Sequence, residues 1–308
     1  MTTHVFIDGA AGTTGLEIRE RLAGRSEFAL ITLDDALRKD AAARKAALND
    51  ADVVILCLPD DAAREAVSLI DNDRTKVIDA STAHRTTPGW VYGFPEVSGH
   101  AAVAASKRVS NPGCYSTGFI ALVAPLVRAG VIPADWPLNC NAVSGYSGGG
   151  KAMIAEFEEG PVPTAWRTYA LNLAHKHVPE MQAHCDLGIA PIFAPSVANL
   201  NRGMVVEVPL PLAAMPGKPT PQAIRDAWAQ SYAGSPIVQV VEGYDEANLS
   251  IERLSGCDRM ELFLFTRADG AQARLVAVLD NLGKGASGAA VQNLNILAGL
   301  DETTGLRL

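Results

Sequence analysis

Cys114 is the residue of this sequence best set for nucleophilic chemistry. It lies in Ser110-Asn111-Pro112-Gly113-Cys114-Tyr115-Ser116-Thr117-Gly118. Asn-Pro-Gly is turn chemistry: Pro112 fixes φ and offers no N–H, and Gly113 tolerates backbone angles that other residues avoid. From Tyr115 to Ala129 apolar residues recur at helical spacing, at Phe119, Leu122, Val123, Leu126 and Val127. Cys114 is therefore expected in the first turn of a helix. Unpaired N–H groups and the positive dipole end there favour thiolate over thiol. A thiolate can attack an acyl carbon and form a thioester. An inert buried thiol is the alternative, so the other chemistry-bearing groups decide.

Asn172-Leu173-Ala174-His175-Lys176-His177-Val178-Pro179-Glu180 places two histidines at i and i+2. The spacing predicts an extended segment with both rings on one side. Imidazole titrates near neutral pH, so His175 and His177 are candidates for general acid/base work beside a nucleophilic cysteine. A metal centre would need a third ligand, for which His184 is the other candidate, and no metal is expected. Ser144-Gly145-Tyr146-Ser147-Gly148-Gly149-Gly150-Lys151 can bring N–H groups and hydroxyls against an anion. It lacks the spacing of an ATP-binding loop, and a flexible connector is the alternative.

These groups need a frame, and the first third of the chain supplies half of it. The strand Val5-Phe6-Ile7 runs into Asp8-Gly9-Ala10-Ala11-Gly12-Thr13-Thr14-Gly15, then into Leu16, Ile18 and Leu22 at helical spacing. Strand, glycine turn, helix is the setting in which backbone N–H groups approach a pyrophosphate. Further strands are read at Phe28–Leu33, at Ala51–Leu58 with its apolar run, and at Lys76–Asp79. Helices are read at Ala41–Leu48 and from Pro59-Asp60-Asp61 to Ile70. Alternating β and α predicts a Rossmann-type, doubly wound parallel sheet. Cofactor contacts are expected at strand C-termini: Gly9, Ala10, Gly12, Thr13, Thr14, Gly15, Leu58, Pro59 and Ser81 of Ser81-Thr82. After the second strand comes Asp34-Asp35-Ala36-Leu37-Arg38-Lys39-Asp40. An acid there favours a ribose hydroxyl, whereas Arg38 and Lys39 favour a 2′-phosphate. The two adjacent donors favour NADP(H), with a solvated charged turn as the alternative.

The second half changes texture. Pro137–Val143, Gly203–Leu210, Met260–Phe265 and Arg274–Asp280 read as strands, and Pro221–Tyr232 as a helix. Many strands with few helices predict an α+β catalytic domain on a mixed or antiparallel sheet. Asn281-Leu282-Gly283-Lys284-Gly285-Ala286-Ser287-Gly288 opens a last helix through Leu297. That helix is expected to return to the dinucleotide-binding domain, bringing Asn281, Gly283, Lys284 and Gly285 to the cofactor. The expected division is residues 1–114 with 284–308 as the dinucleotide-binding domain and 115–283 as the catalytic, substrate and dimerisation domain.

At 308 residues and 48% apolar, the chain can bury two cores. A net charge of −8 without a basic block argues against nucleic acid. Five scattered cysteines without a CxxC pair argue against a disulfide framework or structural zinc, and fit a reducing cytoplasm. No signal-peptide pattern or membrane-spanning run is evident, and a homo-oligomer, dimer or tetramer, is expected.

Together the Cys114 motif, the Gly9–Gly15 turn, His175-Lys176-His177-Val178-Pro179-Glu180 and the Asn281–Gly288 loop resemble the N-acetyl-γ-glutamyl-phosphate reductases, in their shorter form, from Val5 to about Leu297. Ser116 stands where that family often has Ala or Pro. The resemblance implies NADPH-dependent reductive dephosphorylation of an acyl phosphate to an aldehyde in arginine biosynthesis, with release of phosphate. It implies Cys114 as nucleophile, His177 as acid/base with His175 as its alternative, and Asn111, Arg85, Ser144 and Gly145 as substrate contacts. Aspartate-semialdehyde dehydrogenase shares this logic and is the near alternative; a non-catalytic NADP-sensing protein is the distant one.

Overall fold

The computed structural model describes residues 2–34, 36–160 and 164–308. Asp35 of the charged turn and Met1 lie outside the described residues. The chain divides into two units: 1–112 with 286–306, and 113–285 with 307–308.

The first unit follows from its alternating pattern. Strands β1 (Thr3–Asp8), β2 (Phe28–Ile31), β3 (Val53–Leu56), β4 (Lys76–Asp79), β5 (Val91–Tyr92) and β6 (Arg108–Ser110) form one parallel sheet of order β2-β1-β3-β4-β6-β5. Helices α1 (Thr13–Leu22), α2 (Ala41–Asp50), α3 (Asp60–Ser68), α4 (Pro95–Ser98) and α5 (His100–Ala105) connect them. All four residues of β3 are buried, as a strand covered on both faces requires. Two apolar clusters result. One holds Val5, Ile7, Ile18 and Ile55; the other holds Phe6, Leu48, Val54 and Leu56. Alternate residues of β1 thus serve opposite faces.

The second unit begins with α6 (Cys114–Arg128), which carries Pro125 inside it. It continues with β7 (Asn139–Gly145), α7 (Gly150–Glu158), β8 (Trp166–Thr168), α8 (Val178–His184), β9 (Ile192–Ala198), β10 (Met204–Leu210), α9 (Pro221–Ser231), β11 (Val238–Val241), β12 (Met260–Thr266) and β13 (Ala273–Leu279). The seven strands form a mixed sheet of order β11-β12-β13-β10-β7-β9-β8. β7 and β9 pair in parallel, as do β11 and β12; the remaining neighbours are antiparallel. Helix α6 is apolar almost all round and lies on this sheet. Trp228 Nε1 and Tyr232 Oη of the α9 segment bond the carbonyls of Leu122 and Ala121.

The last helix, α10 (Gly288–Leu297), belongs to the first unit and buries Ala290, Leu294 and Leu297 in its core. Three expectations change. The connector after Ser144 is a short 3₁₀ turn followed by α7, so Lys151 is helical. His177 is not extended: it caps α8 with φ −86° and ψ −13°. The unit boundaries also shift by a residue or two. Gly113, Cys114, Lys284 and Gly285 fold with the second unit, as do Arg307 and Leu308. Two bonds explain the C-terminal pair: Asp258 N donates to Arg307 O, and Arg307 N donates to Asp258 Oδ2. Among the described residues no helix is long and apolar enough to cross a membrane.

Candidate active site

In the first unit, the glycines of the opening turn have unequal roles. Gly9 has φ +90°, and a Cβ there would meet Cys57 O at 2.2 Å. A Cβ on Gly15 would meet Gly9 O at 2.5 Å. Gly12 caps α1 with ordinary angles, and its N–H donates to Gly9 O at 3.0 Å. The first glycine therefore lets the turn press against the end of β3, the third lets α1 close on the turn, and the second opens the helix. Beside this turn lies a cavity of about 570 Å³, lined by Asp8, Gly9, Ala10, Leu30, Ile31, Leu58 and four cations, Arg19, Arg38, Lys39 and Arg44. Arg44 Nη2 bonds Asp8 Oδ2 at 2.9 Å. Four cations facing one carboxylate, in a chain of net charge −8, suit a polyanionic ligand.

The turn and cavity thus fit a dinucleotide: a backbone turn with no room for a Cβ at Gly9 or Gly15, a helix N-terminus and apolar walls for a base. Gly9, Ala10, Arg38 and Leu58 line the cavity together, with Gly12 to Gly15 adjoining. Pro59 instead caps α3, and Ser81 is tied into the end of β4. There the wholly buried Asp79 accepts from Ser81 N (2.9 Å), Ser81 Oγ (2.8 Å) and His84 Nδ1 (2.6 Å), while His84 stacks on Trp90. Arg85 is buried and donates to the carbonyls of Asn111 (3.0 Å) and Ala80 (3.2 Å). Asn111 is itself bonded to Ala286 O (3.0 Å) and Asn293 Nδ2 (3.3 Å). These bonds hold both side chains against their own unit.

In the second unit, Cys114 opens α6, as its motif predicts, and is partly exposed. Gly285 lies against it: a Cβ there would stand 2.9 Å from Cys114 Cβ. The buried Glu180 bonds the amide just before the cysteine, Gly113 N, at 3.1 Å through Oε2. Its Oε1 stands 3.9 Å from His177 Nε2. One carboxylate thus links the loop of the nucleophile to the buried His177. The two histidines meet at 4.6 Å between ring centroids, with His177 N donating to His175 Nδ1 at 3.1 Å. Tyr115, Tyr169 and Phe193 complete an aromatic cluster around His175. Burial pushes the Tyr169 hydroxyl up to about 12, with the charge of Cys114 adding to it. Burial first, then Tyr169 and Cys114, pushes Tyr115 well above its usual range. Both phenols therefore stay neutral and can donate.

Three of the other cysteines contrast with Cys114. Burial raises the Cys57 thiol to about 12, helped by Asp79 and Asp8, and burial also raises Cys140 and Cys185. Ser144 is buried and donates to Gly145 O at 3.0 Å, while Gly145 N donates to Gly203 O at 2.9 Å. Asn281 accepts from Gly203 N at 2.9 Å and donates to Ser147 Oγ at 2.8 Å, so it ties loops of the second unit together. Gly283 has no room for a side chain beside Cys257 O, and Lys284 is buried. Among the described residues no three His, Cys, Asp or Glu side chains converge as a metal site. Sequence reading missed Asp8 and Arg44, and also Glu180, Tyr115 and Tyr169. Glu180 was within reach: it follows His177 by three residues, one helical turn.

Comparison with known proteins agrees with this geometry. Residues 32–105 match the semialdehyde dehydrogenase NAD binding domain, and residues 114–281 match the semialdehyde dehydrogenase dimerisation domain. The chain is 51% identical to N-acetyl-gamma-glutamyl-phosphate reductase 2 of Pseudomonas putida, over 97% of each chain. It is 50% identical to N-acetyl-gamma-glutamyl-phosphate reductase of Burkholderia ambifaria, over 96% of each. In fold it resembles aspartate semialdehyde dehydrogenase II of Vibrio cholerae, at a TM-score of 0.73 and 16% identity, covering 97% of this chain and 99% of that one. A sequence shared at half its positions over nearly full length, on the fold and Cys114 setting described, means that the chain belongs to the N-acetyl-γ-glutamyl-phosphate reductases, within the semialdehyde dehydrogenases.

Proposed function

We propose that the protein reduces N-acetyl-γ-glutamyl phosphate to N-acetylglutamate semialdehyde with NADPH, releasing phosphate, as a step of arginine biosynthesis. The observation that carries this is a cysteine at a helix N-terminus, linked through Glu180 to a buried histidine. The Cys114 thiolate attacks the acyl carbon, the C–O bond to phosphate breaks, and a thioester forms. N–H groups at the start of α6 favour the oxyanion of each tetrahedral state. Bound NADPH supplies hydride to that acyl carbon. His177 protonates the developing oxyanion and takes the proton back as the thiohemiacetal collapses to aldehyde and thiolate; His175 buttresses its ring. Glu180 orients His177 and the Cys114 loop. Arg85 and Asn111 in the first unit, and Ser144 and Gly145 in the second, are carried as substrate contacts. Asn281, Gly283, Lys284 and Gly285 are carried as cofactor contacts, with Pro59 and Ser81.

Arg38 and Lys39 on the cationic cavity support NADP(H) over NAD(H). The match to a dimerisation domain supports a homo-oligomer, which light scattering would count. Five cysteines that form no disulfide among them support a reducing compartment such as the cytoplasm. The deciding assay runs the reaction backwards. NADP⁺ reduction is followed with N-acetylglutamate semialdehyde and phosphate, and with aspartate semialdehyde in parallel. Activity on the acetylated aldehyde that vanishes in Cys114→Ser is expected. Activity on aspartate semialdehyde alone would replace the substrate, and turnover by Cys114→Ser would refute the covalent route.

A further inference from the structure

Asp280 follows β13 with its carboxylate wholly buried, and donors from three segments converge on it. Arg202 reaches it with Nε at 2.8 Å and Nη2 at 3.2 Å. The amides of Leu282 (2.7 Å) and Gly283 (2.9 Å) and that of Gly256 also donate to it. The main-chain oxygen of Asp280 accepts from Gly285 N at 3.0 Å. Gly285 then meets the cysteine. A Cβ on it would lie 2.9 Å from Cys114 Cβ and 3.4 Å from Cys114 Cα, closer than side chains tolerate. The turn from Asp280 to Gly285 is therefore a rigid wall behind Cys114, and an ion pair fixes where that wall stands. Arg202 sits on the turn between β9 and β10, where Ser255 Oγ holds its carbonyl at 2.8 Å.

We infer that Arg202 is a positioning residue for Cys114, acting through Asp280 and the turn whose Gly285 backs the nucleophile. The inference rests on Cys114 as the reacting group. A buried carboxylate that loses its cation must hydrate or move. Either response releases the Gly285 wall, and a misplacement of about 1 Å in a reacting group costs on the order of 100-fold. Lysine supplies the charge but not the two-pronged geometry, so it restores only part.

The test measures iodoacetamide labelling of Cys114 in the full chain, by peptide mass spectrometry, from about pH 6 to about pH 9. Wild type is compared with Arg202→Ala, Arg202→Lys and Gly285→Ala, alongside kcat and KM. Arg202→Ala is expected to slow Cys114 labelling near neutral pH by about 10-fold or more and to lower kcat by a similar factor. Arg202→Lys recovers part of both. Gly285→Ala leaves the ion pair intact and pushes directly on Cys114, so it is expected to change the labelling profile too. It also carries the test if Arg202→Ala does not fold. Labelling profiles in the soluble variants that overlay on wild type would overturn the inference. Wild-type Cys114 labelling no faster than the same thiol in denatured chain would overturn the nucleophile reading itself.

Discussion

Gly9→Ala should damage the first unit far more than Gly12→Ala, although both remove a glycine from one turn. At Gly9 the backbone holds φ +90°, a region that costs an L-residue about 1–2 kcal/mol. The added Cβ would also lie 2.2 Å from Cys57 O and 2.8 Å from Cys57 C. Both are backbone atoms, so no rotamer change relieves the contact. The ends of β1 and β3 must separate, against the bond from Cys57 N to Asp8 O at 2.8 Å. Overpacking of this kind adds about 1–3 kcal/mol. The sum, about 2–5 kcal/mol, lowers the melting temperature by roughly 10 °C. At Gly12 φ is −74°, and the Cβ would be 3.4 Å from Gly9 O, which is ordinary contact. Its cost should stay within about 0.5 kcal/mol. Calorimetry on both variants, with an NADPH fluorescence titration, reads the contrast. Equal melting temperatures would refute the claim that the end of β3 dictates this turn.

Native protein treated with iodoacetamide should keep the buried Cys140 and Cys185 unlabelled and label Cys57 more slowly than Cys114, because its raised pKa holds it as a thiol; native labelling of any of them ahead of Cys114 would contradict the assignment. The same burial sets an alkaline limit. Cys57 ionises near 9.0 when unfolded and near 12 when folded, so its contribution is complete below pH 9 and is lost as pH rises toward 12. Melting temperatures across that window should fall, and less steeply in Cys57→Ala. Replacing Arg38 and Lys39 together with alanine should raise KM for NADPH by about 10–100-fold and leave KM for NADH unchanged; a matched rise for both cofactors would remove these residues from phosphate recognition. Glu180→Gln keeps an acceptor for Gly113 N but loses the charge beside His177, so kcat should drop about 10-fold with little loss of stability, whereas Glu180→Ala should also destabilise by about 1–3 kcal/mol as a buried amide loses its partner.

Much of this was legible in the sequence, for physical reasons. The β3 segment is a short apolar run bounded by Asp52 and Pro59, which only a doubly covered strand explains. Cys114 was placed because Pro112 and Gly113 mark a helix entry in any context. What stayed hidden depended on partners distant in the chain. Arg44 reads as a charged residue in an alanine-rich helix, and its bond to Asp8 spans 36 positions. Gly285 reads as one of several loop glycines until its contact with Cys114 is seen. The His175–His177 pair was misread as extended because Pro179, two residues on, looks like a break. Here it occupies the first turn of α8, where a missing N–H costs nothing.

The last helix sets an order on synthesis. Residues 113–285 make up all of the second unit but Arg307 and Leu308, so it lacks only that pair while the first still lacks α10. Until Gly288–Leu297 leaves the ribosome, the core of Val5, Ile18 and Ile78 misses Ala290, Leu294 and Leu297, and Lys76 Nζ has no Leu297 carbonyl to bond. The usual N-terminal-first sequence of domain folding is thereby inverted. The nascent first sheet must wait with apolar surface bare, a natural client for a holding chaperone. Released chains truncated before Gly288 should therefore resist protease across 113–285 and be cut within the first hundred or so residues; equal protection of both stretches would show that the first sheet closes without its last helix.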